Sequence, residues 1–193
     1  MVGHSWGGLL AQLVAWERPD LISGLVLIDP AHEASYLELT PEVRAELGQH
    51  PSRTSPASED PRSTDSLKYG RELAANVARS VGGDDELLIE ACMSYLATDE
   101  HLFMYLEELP MILDHLDELS VRRSQGVWPK VPMVLLTATL GRPEEWIPKV
   151  IAVQDQVVAA ANGQHIIVPD AGHYIHLDRP DLIIKCIRGI ASR

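Results

Sequence analysis

Gly3-His4-Ser5-Trp6-Gly7-Gly8 is the stretch that decides how the rest of this chain is read. It has the form Gly-x-Ser-x-Gly. A helical pattern with Leu9, Leu10, Leu13 and Val14 on one face follows at once and stops at Pro19. Small residues around a serine permit a tight strand-to-helix turn that holds Ser5 in a strained backbone state with Oγ exposed. The helix start presents N–H groups and a positive dipole end to charge developing on a substrate oxygen, with the Trp6 N–H as one donor of such an oxyanion hole. Gly7 and Gly8 are expected to let the helix pack closely. The competing interpretation is a glycine turn that happens to contain serine, and the chain beyond the turn has to decide. Of a strand before the turn, Met1 and Val2 supply no more than the last residues.

Working outward, Gly24-Leu-Val-Leu-Ile28 is a continuous apolar run bounded by Gly24 and Pro30, the pattern of a strand buried on both faces. Residues 32 to 66 are polar, and 51 to 66 are the most loop-like. Helical patterns dominate from Leu67 to Val121. One spans Asp84 to Ala97, one carries Leu102, Tyr105, Leu106 and Leu109, and one carries Met111, Leu113, Leu116 and Leu119. Strand patterns return at Val131-Pro-Met-Val-Leu-Leu136 and His165-Ile-Ile-Val168, with helices expected over 150–161 and 181–190. This alternation implies parallel crossovers and an α/β fold. The expected division is 1–31 for the turn, helix and strand of the core, 32–129 for a helical lid, and 130–193 for the remaining core.

Bulk properties narrow the function classes. The 193 residues suffice for one compact domain, and 46% apolar residues support a buried core. A net charge of −12, from 28 acidic against 16 basic residues, opposes binding to a phosphate backbone or an anionic membrane. The two cysteines, Cys92 and Cys186, fall in helical patterns and do not form a disulfide framework. No Cys/His spacing suits zinc, and no cofactor is expected. Leu9 to Ala15 is too short to span a bilayer, and no secretory signal precedes it, so a cytoplasmic location is expected.

Among eight histidines, His173 is singled out. It lies in Pro169-Asp-Ala-Gly-His173, a loop leaving the strand 165–168, which is expected to be buried and to position reactive groups rigidly. An imidazole there can take the serine proton and return it to a leaving group. His176 is the runner-up, otherwise a packing residue. A metal pair of His173 and His176 lacks a third ligand at suitable spacing.

Gly-His-Ser-Trp-Gly-Gly, Leu25-Val-Leu-Ile-Asp-Pro-Ala-His32, Val131-Pro-Met-Val-Leu-Leu136 and Gly172-His-Tyr-Ile-His-Leu-Asp-Arg-Pro180 together resemble the α/β-hydrolase fold family, specifically its lid-bearing serine hydrolases. The resemblance covers both ends of the chain and leaves the lid poorly matched. It implies the C-terminal part of an α/β-hydrolase parallel sheet with an inserted helical lid, with Ser5 as nucleophile and His173 as base. The family usually carries its acid in the loop after the strand that here is 131–136, but Thr137 to Trp146 contains no Asp. Some members place the acid after the preceding sheet strand, where this chain has Asp29. Asp29 is therefore the first candidate, followed by Glu144 and Glu145, and its alternative role is to hold the turn before Pro30. Asp170 and Asp178 lie too near His173 in sequence to be comfortable partners. A second departure is that the family has further strands before the serine turn, including the loop that supplies another oxyanion donor. The chain is thus expected to be N-terminally truncated, poorly active alone, and prone to self-association through an exposed sheet edge.

The resemblance implies hydrolysis of an ester, or a related acyl or carbon–carbon bond, of a small apolar molecule through a covalent intermediate on Ser5. Epoxide and haloalkane chemistry in this fold normally uses an Asp nucleophile, so Ser5 argues against both. The alternative is a catalytically impaired fragment or a non-catalytic binding relative, which an intact serine turn and histidine loop argue against.

Overall fold

A computed structural model of the chain describes residues 1–34, 75, 78, 85–98, 115–125, 127–128 and 130–192. The helical pattern through Leu102–Leu109 and the loop-like stretch 51–66 lie outside these. The chain separates into two compact units, Met1–Glu38 with Leu116–Arg193, and Leu39–His115. In the second unit one helix is described, Glu86–Leu96. Its N-cap Asp85 accepts hydrogen bonds from the Leu87 and Leu88 N–H groups at 3.1 Å, offsetting two orphan donors of the first turn.

The first unit holds a parallel four-stranded sheet. Its elements are β1 (Val2–His4), α1 (Ser5–Glu17), β2 (Leu25–Ile28), β3 (Met133–Ala138), α2 (Ile147–Ala161), β4 (Gln164–Val168), α3 (Ile175–Asp178) and α4 (Pro180–Ala191). The spatial order is β1-β2-β3-β4, every neighbouring pair parallel. Residues alternate between the faces of a strand, which divides the core in two. Val26, Ile28, Val134 and Leu136 pack with Ile183, Cys186 and Ile190 of α4. Leu25, Leu27, Met133 and Leu135 pack with Ala11 and Ala15 of α1 and Val157 of α2. Each fully buried Leu or Val contributes about 1.5–3 kcal/mol relative to exposure, so β2 and β3 anchor the sheet.

Several sequence expectations are corrected. The third strand runs over 133–138 instead of 131–136. Pro132 has no N–H to give to a ladder and offers only its carbonyl, which accepts from the Leu25 N–H at 2.8 Å. Thr137 and Ala138 extend the strand because both are buried. The strand 164–168 is not buried throughout: it is a sheet edge among the described residues, with only Val168 fully buried. The buried stripe of α1 is Gly8, Leu9, Ala11, Gln12 and Ala15, whereas Leu10 is exposed. Small residues turn inward there because the helix lies close to the sheet: a Cβ on Gly8 would stand 2.7 Å from the Pro30 Cβ. Gly7 is not part of that contact, since its Cβ position is open. The strand before the serine turn reaches His4 and pairs over Val2, Gly3 and His4 with Val26, Leu27 and Ile28. No helix among the described residues is long and apolar enough to cross a membrane.

Candidate active site

The register of β1 on β2 brings two unusual residues side by side. His4 pairs with Ile28, so Ser5 and Asp29 are the next positions along two adjacent parallel strands. Both have left-handed backbones, Ser5 with φ 50° and Asp29 with φ 40°. For a non-glycine residue this costs roughly 1–3 kcal/mol and persists only where the surroundings enforce it. Around Ser5 the enforcement is steric, because a Cβ at Gly3 would lie 2.4 Å from the Gly7 carbonyl oxygen. The turn from β1 into α1 is therefore as tight as the sequence pattern predicts. Ser5 is half-buried in the first helical turn. The N-cap residue, His4, makes no side-chain cap, so N–H groups of that turn, including that of half-buried Trp6, are not met by a capping side chain.

Asp29 is 2% exposed and lies where β2 ends. Its Oδ1 accepts from the Ala138 N–H at 3.1 Å, extending the β2–β3 ladder with a side chain. Its Oδ2 accepts from His173 Nδ1 at 2.6 Å and from Arg142 Nη2 at 2.5 Å. A carboxylate only accepts, so the His173 proton sits on Nδ1 and Nε2 carries the basic lone pair. The His173 side chain is 42% exposed. Glu144 and Glu145, the alternative acids, are both exposed, and the carboxylate bonded to His173 is that of Asp29.

The histidine loop is fixed from several sides. Asp178 Oδ2 accepts from the Gly172 N–H at 2.7 Å, and Asp170 pairs with Arg179 at 2.6 Å, so both carboxylates near His173 in sequence have structural tasks. The His4 Nε2–H donates to the His173 carbonyl oxygen at 2.8 Å across 169 positions of sequence. The rings of His4 and His173 lie 4.5 Å apart. The residue before Ser5 thus holds the loop that carries His173. Burial pushes the His4 imidazole down to about 4, with the nearby His173 and His176 rings acting in the same direction. The His4 ring is therefore neutral near pH 7. His176, whose imidazole is also lowered by burial, has its ring 4.7 Å from that of His4 and a buried Nδ1 without a hydrogen-bond partner. No group of three or more His, Cys, Asp or Glu among the described residues is arranged to hold a metal ion.

Sequence reasoning did not find His4 or Arg142. The signal for Arg142 is its position in the loop after β3, where the family usually carries its acid and this chain has no Asp. His4 occupies a variable position of the Gly-x-Ser-x-Gly pattern, which carries no signal for a long-range contact.

A parallel α/β sheet that carries a strained serine, a histidine and a carboxylate at the C-terminal ends of its strands defines a hydrolase type of scaffold. The chain belongs to the Alpha/beta hydrolase family, whose sequence model matches residues 1–185. Solved structures share this fold at low identity. A candidate epoxide hydrolase from Pseudomonas aeruginosa is similar with a TM-score of 0.67 at 13% identity, covering 99% of this chain and 64% of that one. Cfl2 from Burkholderia cenocepacia gives 0.67 at 15% identity over 97% and 63%. A hydrolase from Oleispira antarctica gives 0.57 at 16% identity over 100% and 64%. The chain spans less than two thirds of the length of each.

Proposed function

We propose that the chain carries the reacting groups of a serine hydrolase that cleaves an ester, or a related acyl or carbon–carbon bond, of a small apolar molecule. The observation that carries this reading is the 2.6 Å hydrogen bond between buried Asp29 and His173 Nδ1 at the same strand-end edge as strained Ser5. Asp29 fixes the tautomer that leaves Nε2 basic and stabilises the imidazolium once it forms.

For an ester, the Ser5 Oγ attacks the acyl carbon while His173 Nε2 takes the hydroxyl proton. The tetrahedral oxyanion is met by the Trp6 N–H at the start of α1. As the carbon–oxygen bond breaks, His173 returns its proton to the departing alcohol and leaves an acyl group on Ser5. Water then loses a proton to His173 and attacks the acyl carbon. The carbon–Oγ bond breaks, Ser5 regains the proton, and the carboxylic acid leaves. The serine at the elbow sets this chemistry apart from that named for the Pseudomonas neighbour.

A fluorophosphonate probe tests the proposal, since it needs only an activated serine. Expected is one adduct on the peptide containing Ser5, absent in Ser5→Ala and strongly slowed in His173→Ala. A folded wild-type chain that takes no label would leave the scaffold with a binding role instead.

A further inference from the structure

We propose that Arg142 is a positioning residue that locks the Asp29 carboxylate in the orientation His173 requires; this rests on the serine-hydrolase reading above. The torsion that orients a carboxylate is broad, so burial alone does not fix which oxygen faces the imidazole. Here a closed ring of hydrogen bonds fixes it. The Ala138 N–H donates to Asp29 Oδ1 at 3.1 Å, Arg142 Nη2 donates to Asp29 Oδ2 at 2.5 Å, and Arg142 Nε donates to the Ala138 carbonyl at 2.9 Å. Ala138 contributes both of its main-chain groups, so the carboxylate is tied to the end of β3 at two points. His173 approaches the oxygen that Arg142 already holds.

The local backbone is shaped for this reach. Gly141 has φ 77°, a conformation other residues adopt only under strain, and the Arg142 N–H closes the turn on the Thr139 carbonyl at 3.3 Å. That turn folds the guanidinium back over Ala138. A planar guanidinium offers donors in a fixed fork, which a lysine ammonium does not, so one side chain can satisfy a carbonyl and a carboxylate together. The loop in which the family usually keeps its acid thus supplies the group that orients an acid on the neighbouring strand.

The competing explanation is that Arg142 only neutralises a buried charge. The two are separated by the rate of fluorophosphonate attachment to Ser5 in wild type, Arg142→Ala, Arg142→Lys, Asp29→Asn and Asp29→Asn/Arg142→Ala, with folding followed by urea unfolding. Arg142→Ala is expected to react about a hundredfold more slowly, the scale for a misplaced reacting group. Millimolar guanidinium should restore much of that loss, because the Arg142 side chain is 29% exposed and its place is open to solvent. In the Asp29→Asn background the same change should cost no further rate. Arg142→Lys keeps the charge and should still lose about tenfold or more. Wild-type rates in folded Arg142→Ala or Arg142→Lys would overturn the proposal, as would a loss that guanidinium leaves untouched and that persists in the Asp29→Asn background. A folded wild-type chain that never labels Ser5 would overturn the serine-hydrolase reading itself and this inference with it.

Discussion

Among the described residues, His173 and His165 each hydrogen-bond a carboxylate through Nδ1, to Asp29 at 2.6 Å and to Asp155 at 2.7 Å. Their burial runs in opposite directions. Beside β2 the carboxylate is 1% exposed and the imidazole 42%, whereas on β4 the imidazole is 9% exposed and the carboxylate 60%. The second pair even has a hydroxyl, because His165 Nε2 accepts from Thr137 Oγ1 at 2.7 Å. Acid, imidazole and hydroxyl are thus hydrogen-bonded in series at His165. Thr137 is fully buried between β2 and β4, so its hydroxyl meets no substrate and the relay is closed at that end. An imidazole–acid pair is therefore placed to serve the proposed chemistry when the acid is sealed and the imidazole reaches solvent, as at His173, and not the reverse. Residue types alone do not make that distinction.

The largest expected effects separate the two pairs by rate. Asp29→Asn should slow covalent labelling of Ser5 about 10⁴-fold, as when a triad carboxylate becomes its amide. Thr137→Val should leave that rate at the wild-type value. Equal losses in both variants would erase the distinction.

Stability should respond the other way. Thr137→Val leaves a largely buried imidazole nitrogen unpaired and should cost about 1–3 kcal/mol in urea unfolding. A cost near zero would mean that the closed relay is ornamental.

A third kind of histidine sharpens the comparison. His32 Nδ1 accepts the Ala34 N–H at 3.0 Å, and its ring is lowered to about 4 by burial and by Arg123, against an opposing pull from Glu33. His4 is lowered to about 4 as well, chiefly by burial. The unfolded rings take up protons near 6.5, before the folded rings do, so unfolding gains protons and stability rises with pH across this window. Stability should therefore fall steadily from about pH 6.5 towards pH 4, and His32→Asn should flatten the slope. Unfolding free energies that are level over that range in wild type would contradict it.

The smallest effect belongs to Asp155→Asn. Its exposed carboxylate should contribute no more than about 1 kcal/mol, read as a small shift of the urea midpoint with the labelling rate unchanged.

What was legible in the sequence follows from the range of the interactions. The Gly-His-Ser-Trp-Gly turn is a local steric device, and Ser5 has the left-handed backbone it requires. The apolar run 25–28 is buried at every position and gave β2 at once. Asp29 could be ranked above Glu144 and Glu145 only through a family pattern, because its pairing spans 144 positions. Arg142 was invisible for the same reason, since its partner lies 113 positions away. The Arg123–Glu33 pair at 2.5 Å, with Gln12 accepting from Arg123 at 3.0 Å, was equally out of reach. Strand ends were misplaced where Pro132 interrupts a ladder that hydropathy alone extends.

The most direct measurement is to trap the acyl intermediate. The chain is mixed with an activated acetate ester, quenched in acid within the first turnover and mapped by peptide mass spectrometry. Expected is an acetyl group on the peptide carrying Ser5, absent in Ser5→Ala and longer-lived in a His173→Ala chain acylated with excess ester. Hydrolysis that proceeds at an undiminished rate in Ser5→Ala, or an acetyl group found on another side chain, would contradict it.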